Sequence, residues 1–137
     1  MKRKATAVWK GTIKEGKGNL STQSGVLDNT PYNFKMRFED EKGTNPEELI
    51  GAAHSGCFTM QLSANLTEAG FDPEKLETKA EITFKDGTVS QSHLILKAKV
   101  SGIEKSKFDE LVEDAKKNCP ISRLLDTEIT LTSELVS

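Results

Sequence analysis

At 137 residues the chain is the size of one ordinary domain, and no apolar run in it approaches the length of a membrane span. Its 19 basic and 21 acidic residues are well mixed and leave a net charge of -2, so no cationic face for nucleic acid or anionic lipid stands out. Apolar residues make up only 35% of the sequence, a thin supply of core for a monomer, which favours burial between two copies. The basic start Met1-Lys2-Arg3-Lys4 leads into Ala5-Thr6-Ala7-Val8-Trp9-Lys10 and not into the apolar core of a signal peptide, which predicts a cytoplasmic protein. In a reducing compartment Cys57 and Cys119 read as buried thiols, metal ligands or redox centres before they read as a lasting staple.

The first forty residues read as a meander of strands punctuated by Gly11, Gly16, Gly18 and Gly25, with a turn at Asp28-Asn29-Thr30-Pro31. The clearest predicted strand is 32–38, where Tyr32, Phe34, Met36 and Phe38 alternate with Asn33, Lys35 and Arg37; this points Arg37 away from the apolar stripe. Asn45-Pro46-Glu47-Glu48 starts a helix, with Asn45 as the N-cap and Pro46 in the first helical position. The helix is predicted to run to about Ala69, where Gly70 suits a left-handed closing residue and Pro73 blocks continuation. Its middle, Leu49 to Met60, is nearly uncharged on every side, which predicts a central, buried helix. The small residues Gly51, Ala52, Ala53, Ser55 and Gly56 suit close approach of another backbone, a second copy of the same helix being one candidate.

Strands around 78–85 and 91–100 form a predicted hairpin about Asp86-Gly87. A second helix is predicted from near Ser106, with Asp109 completing a variant capping box, and buries Phe108, Leu111, Val112 and Ala115. It stops at Asn118-Cys119-Pro120, from which Pro120 opens a short helix to about Leu125, and a strand at 128–135 follows. This order of elements predicts a single α+β domain over residues 1–137.

Cys57, mid-helix among apolar neighbours, reads first as a small core residue; burial alone would raise its pKa, so reactivity needs a cation to hold the thiolate. Cys119, ahead of Pro120, can cap the short helix, where N–H groups and the helix dipole favour a thiolate. Whether the two thiols meet stays open at this level. A zinc site built from His54, Cys57, His93 and Cys119 lacks the short paired spacing of structural zinc motifs. A Cys57-His54 hydrolase lacks an oxyanion hole, and His54 reads as a packed core or interface histidine. Arg37 reads as part of a solvated face and Glu47 as a complement to the helix dipole.

The stretch Arg37-Phe38-Glu39-Asp40-Glu41-Lys42-Gly43-Thr44-Asn45-Pro46-Glu47-Glu48-Leu49-Ile50-Gly51-Ala52-Ala53-His54-Ser55-Gly56-Cys57-Phe58 resembles the OsmC and Ohr peroxidases. The resemblance continues through Glu68-Ala69-Gly70-Phe71, Asn118-Cys119-Pro120-Ile121-Ser122 and the last strand, and Trp9-Lys10-Gly11 and Ser21–Leu27 resemble the OsmC branch more than Ohr. It implies an OsmC-like intertwined homodimer, with strands wrapped around two central long helices. It implies a thiol peroxidase for organic hydroperoxides, and more weakly hydrogen peroxide, needing no metal or organic cofactor. Cys57 then matches the peroxidatic cysteine and Cys119 the resolving one. Arg37 and Glu47 match the charged pair that activates the thiolate, and the reductant is a dithiol such as a dihydrolipoyl protein or a thioredoxin-like donor. Ten residues of helix between Glu47 and Cys57 span roughly 15 Å, too far for Arg37 to bridge within one chain, which predicts that these two come from different subunits. The rival expectations are a dimeric binding protein for a small hydrophobic ligand and a redox sensor.

Overall fold

Three short strands, β1 (Ala5–Lys10), β2 (Lys17–Thr22) and β3 (Thr30–Tyr32), pair antiparallel in chain order, as the expected meander does. The structure, a computed structural model, describes all residues 1–137. These strands belong to the first of two compact units, Met1–Leu49, the second being Ile50–Ser137. Gly18 faces Trp9 on one side and Tyr32 on the other. A Cβ at Gly18 would stand 2.5 Å from the Trp9 ring and 2.6 Å from the Tyr32 ring. Its missing side chain lets the two rings meet edge-on over β2, their centroids 5.4 Å apart.

The predicted strand at 32–38 is not formed. Strand β3 ends at Tyr32, and α1 (Phe34–Phe38) is a short helix. Asn33 caps it, its side-chain oxygen accepting the Met36 N–H at 2.9 Å, which favours helix over ladder locally. The apolar spacing fits this alternative equally well, because Phe34 and Phe38 are four apart and pack ring on ring with centroids 4.9 Å apart. Arg37 therefore sits in the last turn of a helix, its guanidinium 5.0 Å from the Phe38 ring centroid.

Helix α2 (Pro46–Glu68) has the predicted boundaries. The Asn45 side chain accepts the Glu48 N–H at 2.8 Å and donates to the Met36 carbonyl at 3.1 Å, tying the helix start to α1. At the other end the Phe71 N–H reaches the Leu66 carbonyl and the Gly70 N–H the Thr67 carbonyl, with Gly70 at φ +93°. The burial expected of this helix is met within the chain on one stripe. Within one chain the stripe Gly51, His54, Phe58, Leu62 and Leu66 is buried, while Ala52, Ala53, Gly56 and Met60 lie on the exposed side.

In the second unit β4 (Pro73–Lys85) and β5 (Thr88–Val100) form a hairpin longer than predicted. Asp86 and Gly87, both at positive φ, make a two-residue turn whose twist lets the ladder run up to it. Helix α3 (Lys105–Asn118) and the short α4 (Pro120–Leu124) carry the chain back to β6 (Glu128–Val136), which pairs parallel to β5. The predicted cap at Ser106 is also corrected: Glu104 is the N-cap without a side-chain bond, and Asp109 instead accepts from Lys105 at 2.8 Å. Phe108, Val112 and Ala115 are fully buried, and Leu111 is partly so.

The core of this unit is the buried stripe of α2, the inner face of β5 (Leu94, Leu96, Ala98 and Val100), the α3 stripe and Cys119. Separate layers of helix and mostly antiparallel sheet make this α+β, as expected. Leu62 is completely enclosed, so Leu62→Ala is expected to cost about 2 to 5 kcal/mol, read as a lowered urea midpoint at constant slope.

Candidate active site

Arg37 and Glu47 meet in the first unit. The α1 turn and the first turn of α2 hold Arg37 Nε 2.8 Å from Glu47 Oε1, with only 13% of the Glu47 side chain exposed. Such a charge-assisted hydrogen bond aims the rest of the guanidinium fork. The same unit carries a cavity of about 170 Å³ lined by Trp9, Ile13, Tyr32, Asn33, Phe34, Phe38 and Arg37, mostly aromatic and aliphatic walls with one amide and one cation.

The two cysteines meet in the second unit. Both are free thiols, Cys57 half-buried on α2 and Cys119 buried at the start of α4. Cys119 and the Ile121 N–H both lie near enough to Cys57 to act on its thiol. Cys119 caps α4 as expected, its Sγ accepting the Ser122 N–H at 3.4 Å. Burial pushes the Cys57 thiol up, the Ile121 N–H pulls it back, and Cys119 pushes it up again. None of these neighbours is a cation, so they do not make a thiolate by themselves.

His54, read from sequence as a core histidine, is fully buried but not merely packed. Its Nδ1 lies 2.6 Å from Ser92 Oγ on β5 and its Nε2 2.7 Å from Ser122 Oγ on α4. Ser122 Oγ in turn lies 3.0 Å from Cys119 Sγ. Sequence reasoning missed Ser92 and Ser122; the available signal was the Cys-Pro-Ile-Ser spacing, in which the third residue of a short helix faces its cap. His93 is separate, bonded through its two ring nitrogens to Thr130 and Thr132.

Burial holds His54 below its ordinary value of 6.5. The unfolded chain binds a proton near that value which folded His54 refuses until lower pH, so this contribution to stability is complete above it and declines as pH falls toward the folded pKa. Unfolding free energies from urea titrations are expected to drop across that window by at most about 1.4 kcal/mol per pH unit from this group, a slope that His54→Gln removes.

A family model described as OsmC-like protein matches residues 39–134 of this chain. The chain is 50% identical over 139 residues to Peroxiredoxin OsmC of Escherichia coli (strain K12), covering 98% of this chain and 97% of that protein. It is 31% identical over 103 residues to the organic hydroperoxide resistance protein OhrA of Bacillus subtilis (strain 168), 69% of either chain. Among solved structures, an organic hydroperoxide resistance protein OsmC from Legionella pneumophila matches with a TM-score of 0.67 at 19% identity. That match covers 98% of this chain and 97% of the other, a likeness of fold.

Proposed function

The chain belongs to the OsmC-like protein family, and on that premise we propose that it is a cysteine-based peroxidase reducing organic hydroperoxides, and hydrogen peroxide more weakly. The observation that carries this reading is the meeting of the Cys57 and Cys119 thiols in one unit. The Cys57 thiolate attacks the distal peroxide oxygen; an S–O bond forms, the O–O bond breaks and the alkoxide leaves as the alcohol after taking a proton. Cys119 then attacks the Cys57 sulfenic sulfur, the S–O bond breaks, water leaves and a disulfide forms before Cys57 can be oxidised further. An external dithiol, a dihydrolipoyl protein or a thioredoxin-like donor, returns both cysteines to thiols.

Arg37 is the cation that holds the Cys57 thiolate, and Glu47 orients it through the 2.8 Å bond. The apolar cavity beside Arg37 suits the hydrocarbon part of an organic hydroperoxide. Ten residues of α2 separate Glu47 from Cys57, roughly 15 Å along the axis, so Arg37 and Glu47 of one subunit serve Cys57 of the other. The dimer this requires packs the exposed small-residue face of α2, Ala52, Ala53 and Gly56, against its copy, where a Cβ on Gly56 has nothing within 4 Å. The 137 residues thus act as one domain type, paired. No helix is long and apolar enough to cross a membrane. A cytoplasmic setting is proposed, in which the disulfide is an intermediate of turnover.

The test is one equivalent of an organic hydroperoxide added to the reduced protein. Loss of both thiols and release of one alcohol are expected, while Cys119→Ser stops at a sulfenic acid on Cys57, trapped by dimedone. Retention of free thiols at the rate of an ordinary cysteine would sink the reading.

A further inference from the structure

We propose that Ser122 and His54 form a proton relay that ionises the Cys119 thiol for its attack on Cys57, with Ser92 holding the imidazole in the working tautomer. The inference rests on the peroxidase reading only for the identity of the step it serves. Cys119 must lose a proton to become a nucleophile, and it is completely buried, so bulk water does not reach it. The hydroxyl of Ser122 lies 3.0 Å from its sulfur, and beyond that hydroxyl stands His54 Nε2 at 2.7 Å. His54 and Ser92 are themselves fully buried and Ser122 is 6% exposed, so the chain is sealed along its length.

The hydrogen bonds admit one assignment that suits a protonated Cys119. His54 Nδ1–H donates to Ser92 Oγ, the Ser122 hydroxyl donates to His54 Nε2, and the Cys119 S–H donates to Ser122 Oγ. Two short proton shifts then leave Cys119 as a thiolate that accepts the Ser122 O–H and N–H, and His54 as an imidazolium donating to both serines. The thiolate forms the S–S bond, the S–O bond of the sulfenic acid breaks, and the departing hydroxide takes the relayed proton to leave as water. No net proton is consumed.

A bland alternative is a satisfied core histidine, yet the core around it is Phe, Leu and Val. Three polar side chains there carry a desolvation cost that packing does not require. The titratable groups along the cluster are Cys57 on α2 and Cys119 ahead of α4. β5 brings the uncharged Ser92, and burial alone sets the His54 equilibrium, so the imidazolium is transient and returns its proton. Ser122 touches the reacting sulfur, whereas His54 acts through Ser122 and is a positioning residue.

The test separates this step from the peroxide. Cys57 of the reduced protein is converted to a mixed disulfide with an aromatic thiol, and attack by Cys119 releases that thiolate, read by absorbance in a stopped-flow. Ser122→Ala and His54→Gln are expected to slow release at least about tenfold near neutral pH, and their rates should climb with pH toward the wild-type rate as hydroxide admitted by brief local opening ionises the thiol in place of the relay. The wild-type rate should be nearly flat with pH, and Ser122→Thr, which keeps the hydroxyl, should restore most of it. Wild-type rates in both variants, or equal slowing at every pH, would overturn the relay. A parallel run with an organic hydroperoxide judges the peroxidase reading separately, since failure there with slowed release in the aromatic arm removes the peroxide and keeps the relay.

Discussion

Cys57→Ser is expected to abolish hydroperoxide turnover, by at least about a thousandfold, with the fold intact. A serine hydroxyl at a half-buried helical position fits where the thiol did, but it is not ionised near neutral pH and does not attack the peroxide oxygen. Cys119 cannot take over, because it is completely buried and no peroxide reaches its sulfur. Hydroperoxide consumption coupled to oxidation of an added dithiol checks this, with circular dichroism as the control for folding. Substantial turnover in Cys57→Ser would move the chemistry elsewhere in the chain.

The second large effect concerns two inactive variants that restore each other. Arg37→Met removes the cation and Cys57→Ser the nucleophile, and each homodimer should be inactive. After unfolding and refolding a one-to-one mixture, half the dimers are mixed, and each mixed dimer holds one site with both Arg37 and Cys57 intact if these come from opposite subunits. Activity should then return to about a quarter of the wild-type value. If Arg37 and Cys57 of one subunit work together, mixing restores nothing. The bond between Arg37 and Glu47 within one chain makes Glu47→Gln a second partner for the same experiment, with a smaller loss on its own because the guanidinium remains.

The parts of the fold set by local chemistry were legible from sequence, and the parts set by distant partners were not. Asn45, Pro46, Gly70 and Phe71 mark both ends of α2 because capping depends on residues within one turn of each end. The Asp86-Gly87 turn and the alternating inner face of β5 follow from equally local rules. The segment 32–38 was misread because Phe34, Met36 and Phe38 satisfy a strand period and a helical pair at once, and the Asn33 cap decides between them. Which part of the α2 burial one chain supplies was not legible for a related reason: an uncharged sequence does not say whether its second face is covered by the same chain or by a copy.

At the site, Arg37 and Glu47 each carry an ordinary surface reading, and only the resemblance raised them above it. Their pairing follows from the α1 turn that sequence missed. His54 was correctly placed in a core, but its two serine partners lie 38 and 68 residues away, beyond any local pattern.

The most direct measurement of the central claim is stopped-flow oxidation of the reduced wild-type protein by an organic hydroperoxide, with hydrogen peroxide alongside. Rapid loss of the Cys57 thiol, faster with the organic peroxide and ending in a Cys57–Cys119 disulfide that a dithiol reopens, is the predicted result. Oxidation no faster than that of a free cysteine, with no disulfide between the two, would contradict it and leave a dimeric protein that binds a small hydrophobic ligand.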